Sequence, residues 1–478
     1  MNTPSKLDTD RAKALSERIW ESEIVPALTE YIRIPNVSQG FDPAWREHGH
    51  MEKAVALIEG WCKKQPIVGL QVEVQRLDGR APVILMELPG TSGGADTVLL
   101  YGHLDKQPEM TGWREDLGAW KPVREGDRLY GRGGADDGYS TFASLAALRL
   151  LQEQKVPHAR CVVLIEAGEE SGSPDLPAYI EALKERIGKP SLVVCLDSGC
   201  ANYEQLWSTT SLRGMVGGTL RVDMLTEGVH SGGAGGIVPD TFRIAREVLS
   251  RVEEEKTGRI LLGALHTEIP AARRAQVEAS AGVLRDEVRG AFPWVSGAGP
   301  GERPVAELLL DRTWRPCLAI VGAEGLPEMA KAGNVLRPFT ALKVSVRIPP
   351  HVDPAVATRA LKETLEKDPP HGARVAFSAA SGAWGWDAPP LAAWLEQATD
   401  AASRAFFGKP AMTMGEGGTI PFMAMLGERF PEAQFLITGV LGPQSNAHGP
   451  NEFLHIPVGK GLTCCVASVI AAHHARAR

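Results

Sequence analysis

Hydrophobic and polar positions alternate along the first half of the chain in a pattern typical of an α/β protein. Short apolar runs predict β-strands, and longer stretches with apolar residues at helical spacing predict helices between them. After residue 384 the same pattern of helices and apolar strands returns. Both ends of the chain are therefore expected to build one mixed, mostly parallel sheet covered by helices. The predicted strands are Gln71–Leu77, Val83–Leu88, Thr97–Tyr101, Cys161–Glu166, Leu192–Leu196 and Gln434–Thr438, and the predicted helices are Tyr139–Gln154, Leu176–Ile187, Leu391–Phe407 and Val458–Ala472.

The middle of the chain has a different pattern. Met215–Leu225, Ala341–Pro349 and Arg374–Ser378 are predicted as strands, and the second alternates apolar with polar residues throughout. Helices are expected over Thr241–Val252 and Ala355–Leu365, each behind an Asp start signal. We therefore predict an α+β domain over residues 212–383, inserted into a catalytic domain formed by residues 1–211 and 384–478.

The amino-acid composition excludes some classes of binding partner. The chain has 478 residues with 51 Lys and Arg against 58 Asp and Glu, a net charge of −7, which provides no basic surface for nucleic acid or an anionic membrane. No uninterrupted apolar stretch reaches the roughly 20 residues of a membrane span. The charged N-terminal segment lacks a signal-peptide core, and the seven Cys have irregular spacing. We predict a cytoplasmic protein with reduced thiols.

Five segments place His, Asp and Glu at strand ends or in loops. Each alone has a simpler explanation, such as a polar surface residue or a solvated turn. Together, imidazoles and carboxylates at one sheet edge are the donors that two divalent ions need. Asp105 can accept a hydrogen bond from the second ring nitrogen of His103 and orient that ring. The segments are His103-Leu104-Asp105, Asp136-Asp137, Glu169-Glu170, Asp197 and Asn446-Ala447-His448-Gly449.

These segments resemble, in order and spacing, the motif series of the carnosinase/aminoacylase family of co-catalytic zinc peptidases. The resemblance covers nearly the whole chain from about Arg18 onward. The motifs that carry it are Tyr101-Gly102-His103-Leu104-Asp105 with Gln107-Pro108, Leu129-Tyr130-Gly131-Arg132-Gly133 leading to Asp136-Asp137, Glu166-Ala167-Gly168-Glu169-Glu170-Ser171-Gly172-Ser173, Asp197-Ser198-Gly199, and His448-Gly449-Pro450-Asn451-Glu452.

The resemblance implies a dinuclear zinc site, with Mn or Co as substitutes. Asp136 would bridge the two ions, His103 and Asp197 would hold one, and Glu170 and His448 the other. Glu169 would be the general acid/base that takes a proton from a water bridging the two zinc ions. Family members also carry a cis peptide at the position of Asp136-Asp137.

The inserted domain, which the resemblance identifies as a lid and dimerisation domain, adds further candidates. His230 resembles a family histidine that reaches into the partner subunit's site, although a loop His in a Gly-rich turn is the simpler explanation. Arg347 resembles the arginine that grips the substrate carboxylate, with a solvated strand charge as the alternative. Asn334 resembles an asparagine near the substrate. Gly417, Gly418 and Thr419 resemble a family substrate loop, although a plain turn fits almost as well.

Two positions depart from the family pattern. Asp137-Gly138-Tyr139 stands where Asp/Asn-Lys-Gly is usual, and Gly415 stands where dipeptidases often have Arg. No implied ligand is lost, but substrate preference cannot be carried over.

We therefore predict a homodimeric, cytoplasmic zinc dipeptidase that acts on small peptides with a free C-terminal carboxylate. An N-acyl-amino-acid deacylase, or a glutamate-type carboxypeptidase, is the alternative among hydrolases. A catalytically dead metal- or peptide-binding protein is the alternative outside them, and Glu169 argues against it.

Overall fold

The computed structural model describes residues 6–91, 96–380 and 382–476, apart from the side chain of Pro421. A six-stranded mixed sheet forms its centre. The first two pairings in spatial order are antiparallel and the other three are parallel, which confirms the predicted sheet. In spatial order the strands are Gln71–Gln75, Val83–Leu88, Arg160–Glu166, Thr97–His103, Pro190–Cys195 and Gln434–Ile437.

Helices cover both faces of this sheet because its central strands are apolar on both sides. Along Thr97–His103, Val98 and Leu100 belong to the core on one face, and Leu99 and Tyr101 belong to the core on the other. The helices on the first face are Thr9–Ile19, Val25–Ile32, His50–Lys63, Tyr139–Glu153, Ala393–Phe406 and Ile456–Ala475. Those on the second are Leu176–Ala182, Lys184–Ile187 and Pro421–Arg429.

Two helical predictions need adjustment. The helix expected over Leu176–Ile187 is divided in two, because Leu183 (φ −103°, ψ 10°) lies outside helical geometry. Among the described residues, Ile456–Ala475 is long and apolar enough, by length and composition, to cross a membrane. However, 72% of its most apolar window is buried, which is the behaviour of a core helix.

The second domain contains a four-stranded antiparallel sheet, in the order Cys317–Glu324, Phe339–Ile348, Gly214–Asp223 and Arg374–Ala379. Helices Thr241–Leu249 and Pro354–Glu366 pack on it, and the side chains of Asp240 and Asp353 cap their N-termini. The α+β character of this unit is confirmed. The edge strand Cys317–Glu324 was not predicted.

The remaining elements connect the two sheets. Trp207–Leu212 pairs with Met412–Glu416 and with Trp386–Asp387. Helices Ala271–Leu284 and Val305–Thr313 contribute side chains to the larger core, although both lie within 212–383 in sequence. The domain limits therefore remain a prediction. The shorter elements are Trp20–Ile24, Trp45–His48, Val123–Glu125, Arg128–Tyr130, Val229–His230, Ser231–Ala234, Glu287–Gly290, Val335–Leu336 and Phe453–His455.

Candidate active site

Three neighbouring parallel strands bring polar side chains to one edge of the large sheet. Thr97–His103 ends at His103, Glu169 and Glu170 follow the strand Arg160–Glu166, and Asp197 follows Pro190–Cys195. Parallel strands place their carboxyl ends at the same edge, where ligands of open α/β sheets bind. The predicted meeting of these segments is found in the structure.

Asp136 reaches this edge from a turn, Gly134–Gly138, that precedes the helix Tyr139–Glu153. The peptide bond between Asp136 and Asp137 is cis, as the resemblance implied. The main-chain N–H of His103 donates to Asp137 Oδ2 at 3.2 Å and ties the turn to the strand. A Cβ atom on Gly138 would lie 2.2 Å from Cε1 of Tyr31. That ring explains why this chain has Gly where the family usually has Lys.

The ring of His103 lies among carboxylates. Its Nε2 is 3.4 Å from Asp136 Oδ1, 3.7 Å from Asp197 Oδ1 and 3.9 Å from Glu169 Oε2. On the other side of Asp136, His448 Nε2 lies 3.1 Å from Asp136 Oδ2. The same nitrogen is 3.2 Å from Glu170 Oε2. The six predicted residues therefore form one cluster with Asp136 at its centre.

The donor set fits divalent metal ions. Two donors bound to one tetrahedral ion at about 2.0–2.2 Å lie roughly 3.2–3.6 Å apart, close to the separations found here. Two atoms in the cluster, His103 Nε2 and Glu170 Oε1, are buried without a hydrogen-bond partner. Buried polar atoms are rarely left unpaired, so both atoms are available as ligands. Asp137, His103 and Asp197 also each have one possible ligand atom within 4.8 Å of the others.

Burial and mutual repulsion shift the pKa values of these groups. Burial, together with the charge of Asp197, raises the pKa of Glu169 well above its usual range. Burial and Asp136 raise the pKa of Glu170. Burial opposes the charged form of His103, but Asp197 and the other nearby carboxylates outweigh it and raise its pKa. The cluster thus has an excess of carboxylates over cations, the electrostatic condition that bound cations relieve.

Asp105 has a broader role than the one predicted. Its Oδ1 is 3.5 Å from His103 Nδ1, and its main-chain oxygen is closer to that nitrogen, at 3.1 Å. The carboxylate accepts hydrogen bonds from the main-chain N–H groups of Glu169 and Glu170, at 3.1 and 3.0 Å. Asp105 therefore fixes the turn that presents both glutamates, as well as the ring of His103.

A cavity of about 320 Å³ opens beside the cluster. Asp136, Glu169, Asp197 and His448 line one side of it. Arg347, Glu416, Gly418, Thr419 and Ile420 also line it. Arg347 Nη1 donates to Thr419 Oγ1 at 2.9 Å, and within the described part of the chain Arg347 forms no ion pair. Of the predicted substrate residues, Arg347, Gly418 and Thr419 thus share a cavity with the carboxylate cluster, whereas Gly417 does not line it.

His230 and Asn334 lie elsewhere. They are exposed neighbours on the lid, where the N–H of Ser231 donates to the main-chain oxygen of Asn334 at 2.9 Å. His230 Nδ1 accepts from the N–H groups of Gly232 and Gly233, at 3.1 and 3.3 Å. Neither side chain lines the cavity of its own chain.

Comparison with known proteins identifies the family. The sequence profile of peptidase family M20/M25/M40 matches residues 99–472, which include every residue of the cluster. The chain belongs to this family. It is therefore a metallopeptidase of the kind that hydrolyses peptide bonds with a dinuclear metal centre, and the predicted family is confirmed.

Relatives in the family include several dipeptidases. The chain is 27% identical over 382 residues to a cysteinylglycine-S-conjugate dipeptidase of Corynebacterium striatum, covering 77% of this chain and 80% of the relative. It is 27% identical over 453 residues to the human Beta-Ala-His dipeptidase, and the match covers 89% of this chain and 86% of the relative. It is 24% identical to a Cys-Gly metallodipeptidase of Schizosaccharomyces pombe, and the match covers 91% of this chain and 92% of the relative.

Two solved structures share the fold. The dipeptidase Dug1p from Saccharomyces cerevisiae has a TM-score of 0.80 at 20% identity and covers 98% of this chain, with 99% of its own chain matched. Human carnosine dipeptidase 1 has a TM-score of 0.76 at 22% identity, and the match covers 98% of this chain and 100% of the other. These likenesses show that the shared fold extends over 98% of this chain.

A buried ion pair beneath the cluster of this M20 peptidase was not predicted from the sequence. Arg132 Nη1 lies 2.5 Å from Glu452 Oε2, and both side chains are buried. Arg132 Nη2 also donates to the main-chain oxygens of His448 and Gly449, at 3.0 and 2.8 Å. Glu452 Oε1 accepts from the N–H of Gly133 at 2.9 Å. The pair clamps the loop of His448 to the segment that precedes Asp136. Both residues belong to the motifs quoted above, but no function was predicted for either.

Replacing Arg132 by Met should destabilise the protein by about 3–5 kcal/mol, because Glu452 would remain as an unpaired buried charge. The thermal unfolding midpoint measures this effect. Arg114→Met is the matched control, since Arg114 pairs with Asp116 at the surface, where a pair contributes about 0–1 kcal/mol. A second change, Glu452→Gln, should recover part of the loss in Arg132→Met. Equal midpoints for Arg132→Met and Arg114→Met would contradict the clamp.

Proposed function

We propose that this peptidase hydrolyses the peptide bond of dipeptides and small peptides with a free C-terminal carboxylate. One observation carries the proposal: a single cavity joins the carboxylate and histidine cluster to Arg347, a cation without an ion-pair partner among the described residues. Substrate would lie between the two. Its scissile bond would face the cluster, and its carboxylate would face the guanidinium. The three relatives described above are dipeptidases, which supports this proposal.

The cluster would hold two zinc ions per chain, with manganese or cobalt as substitutes. We assign Asp136 to both ions, His103 and Asp197 to one, and Glu170 and His448 to the other, in accordance with the distances above. When bound, the ions would polarise the scissile carbonyl and lower the pKa of a water molecule towards neutrality.

Glu169 would take the proton from the attacking water and pass it to the leaving amine. Its carboxylate lines the cavity, and its main-chain N–H is held by Asp105. Glu170 is turned towards His448 by contrast, with 3.2 Å between Oε2 and Nε2. The two adjacent glutamates thus face different partners, which separates proton transfer from ligation.

The opposite end of the cavity would select the carboxylate of the substrate. Arg347 would supply the charge, and the main-chain N–H groups of Gly418 and Thr419, two residues that line the same cavity, would supply further donors. Burial lowers the pKa of Arg347, with a contribution from nearby Arg213, yet a guanidinium stays charged. A partly desolvated cation without an ion-pair partner is a strong site for an anionic group.

Glu416 favours a dipeptide over an N-acyl-amino acid. Its carboxylate lines the same cavity, and burial raises its pKa. Nearby Arg312 and Arg213 oppose this shift, but Glu416 forms no ion pair among the described residues. A free α-ammonium group would supply an ion-pair partner, whereas a neutral acyl group would not.

We further propose a homodimer, with residues 212–383 as the lid and dimerisation domain. Among the described residues, its edge strand Cys317–Glu324 pairs with another strand on one side only, and its Ile320 and Val321 are 42% and 59% exposed. Met329, nearby in sequence, is 92% exposed. Exposed apolar edges of this kind pair with another chain. His230 and Asn334, which lie away from their own cavity, would then serve the partner's site.

Mixing inactive His230→Ala with inactive Glu169→Gln subunits should restore roughly a quarter of the wild-type activity, since half of the dimers would be mixed and each would have one intact site. Dipeptide hydrolysis after subunit exchange measures this. Mixing His448→Ala with Glu169→Gln is the control and should restore nothing, because both residues serve the cavity of their own chain. No recovery despite proven exchange would show that His230 does not act across the dimer.

We also propose that the protein is cytoplasmic. All seven Cys are free thiols in the structure, as expected in a reducing compartment. Burial raises the pKa of six of them, including Cys161, so they remain protonated and unreactive.

The function is tested with a substrate panel on the purified enzyme, after metal removal and reconstitution with Zn²⁺, Mn²⁺ or Co²⁺. Free dipeptides should be hydrolysed, whereas N-acyl-amino acids and long peptides should be poor substrates. Chelation should abolish activity, and metal analysis should give up to two ions per chain. Faster hydrolysis of N-acyl-amino acids would favour the deacylase. Tight dipeptide binding without turnover would indicate the dead binding protein.

A further inference from the structure

A buried arginine behind the cavity has no part in the function described so far. Arg213 is the single residue between the strands Trp207–Leu212 and Gly214–Asp223, where the chain passes from one sheet to the other. It is 7% exposed, and its guanidinium forms no ion pair with a carboxylate among the residues that the structure describes. Buried charges are normally paired, so the contacts that replace such a pair are informative.

The guanidinium donates mainly to main-chain oxygens. Nε donates to the carbonyl of Gly417 at 3.1 Å. Nη1 donates to the carbonyls of Asp311 and Arg315, at 3.3 and 3.2 Å, and to the sulfur of Cys317 at 3.2 Å. Asp311 belongs to the last turn of the helix Val305–Thr313, whose C-terminal carbonyls favour a cation. Arg213 therefore joins the Gly417 loop to the end of this helix and to the first residue of the lid's edge strand.

The main chain of Arg213 holds the other end of the same loop. Its carbonyl accepts from the hydroxyl of Thr419 at 2.6 Å, and that hydroxyl oxygen accepts in turn from Nη1 of Arg347 at 2.9 Å. A continuous chain of hydrogen bonds thus runs from Arg347 through Thr419 to Arg213. One residue fixes Gly417 with its side chain and Thr419 with its backbone.

Packing at Gly417 shows how closely the guanidinium fits the loop. A Cβ atom at this position would lie 2.9 Å from Nη2 of Arg213 and 3.0 Å from the carbonyl oxygen of Arg312. Gly418 and Thr419 line the cavity, whereas Arg213 does not. Arg213 therefore acts on a substrate through the loop and not by contact.

We infer that Arg213 is a positioning residue that sets the preference for substrates with a free carboxylate. It does so by holding the Gly417–Thr419 loop, to which Arg347 is hydrogen-bonded through Thr419. This inference rests on the proposed function for its substrate, but its structural basis is independent of the reaction. Lysine at position 213 would keep the charge but could not reach Gly417, Asp311 and Arg315 at once, because it lacks the planar fork.

The test compares Arg213→Lys with wild type on a dipeptide and its C-terminally amidated analogue. The free dipeptide should lose roughly 10–100-fold in kcat/KM, mainly through a higher KM, while the amidated analogue changes little. In an Arg347→Ala background the same change should have almost no further effect. Arg273→Lys is the matched control: Arg273 is also buried and also lies outside the cavity lining, but it donates to Asp387 and to the Ala388 carbonyl and not to the Gly417–Thr419 loop.

Hydrogen exchange gives a readout that does not depend on activity. In Arg213→Lys the main-chain amides of residues 415–420 should exchange at least about tenfold faster, and in Arg273→Lys they should not. If wild type hydrolyses neither dipeptide, the proposed function fails and exchange alone decides the role of Arg213. If Arg213→Lys does not fold, Thr419→Val breaks the same chain of hydrogen bonds and should shift the substrate ratio in the same direction. Equal losses on both substrates with unchanged exchange would overturn the inference.

Discussion

Replacing Glu169 by Gln should lower kcat by about 10⁴-fold, the upper end of the range for a general acid/base group. The amide is nearly isosteric with the carboxylate but cannot accept the proton of the attacking water. Steady-state rates on a free dipeptide measure the loss. Because Glu169 is assigned to no ion, the metal content of Glu169→Gln should equal that of wild type.

Glu170→Gln is the matched control for this prediction. The two residues are adjacent and both are buried by their surroundings, but Glu170 lies 3.2 Å from His448 in the assigned ligand set. Glu170→Gln should therefore lose metal as well as activity. The two variants separate proton transfer from ligation in one experiment. A Glu169→Gln enzyme with near wild-type kcat would reassign the base, with Glu170 and Asp137 as the next candidates.

The site could be predicted from sequence wherever it depends on strand ends. Thr97–His103, Arg160–Glu166 and Pro190–Cys195 were found within two residues of their bounds, because buried parallel strands form continuous apolar runs. The residue after such a run lies at the ligand-binding edge of the sheet. Local sequence therefore indicated where His103, Glu169 and Asp197 would meet.

Features that depend on distant residues could not be predicted in this way. Arg132 and Glu452 are 320 positions apart, and a buried ion pair leaves no periodic signal in either segment. Arg213 lies between two strands, and its partners are main-chain carbonyls, which every residue has. The strand Cys317–Glu324 was missed for another reason. It is mostly exposed, and a register shift between Ile320 and Gly322 interrupts its pattern.

Replacing Arg347 by Ala should lower kcat/KM for free dipeptides by roughly 10²–10³, or about 3–4 kcal/mol, the loss of a charge-assisted contact in a partly desolvated site. If the cluster holds the scissile bond and Arg347 holds the substrate carboxylate, the distance between these two anchors is fixed, and a substrate would have to end one residue beyond the cleaved bond to reach both. The amidated dipeptide should be a poor substrate of wild type. It should be hardly affected by the mutation, since it never used the guanidinium.

Lys343→Ala provides the control for this prediction. Lys343 is an exposed cation on the same strand, four residues from Arg347, and it does not line the cavity. Side chains four residues apart on a strand point to the same face, so this variant tests the reading of Arg347 as a solvated strand charge. Lys343→Ala should leave both substrates unchanged. Equal losses on free and amidated dipeptides in Arg347→Ala would mean that Arg347 supports the fold or the interface. Efficient internal cleavage of long peptides would overturn the proposal that the substrate carboxylate is held at a fixed distance from the cut.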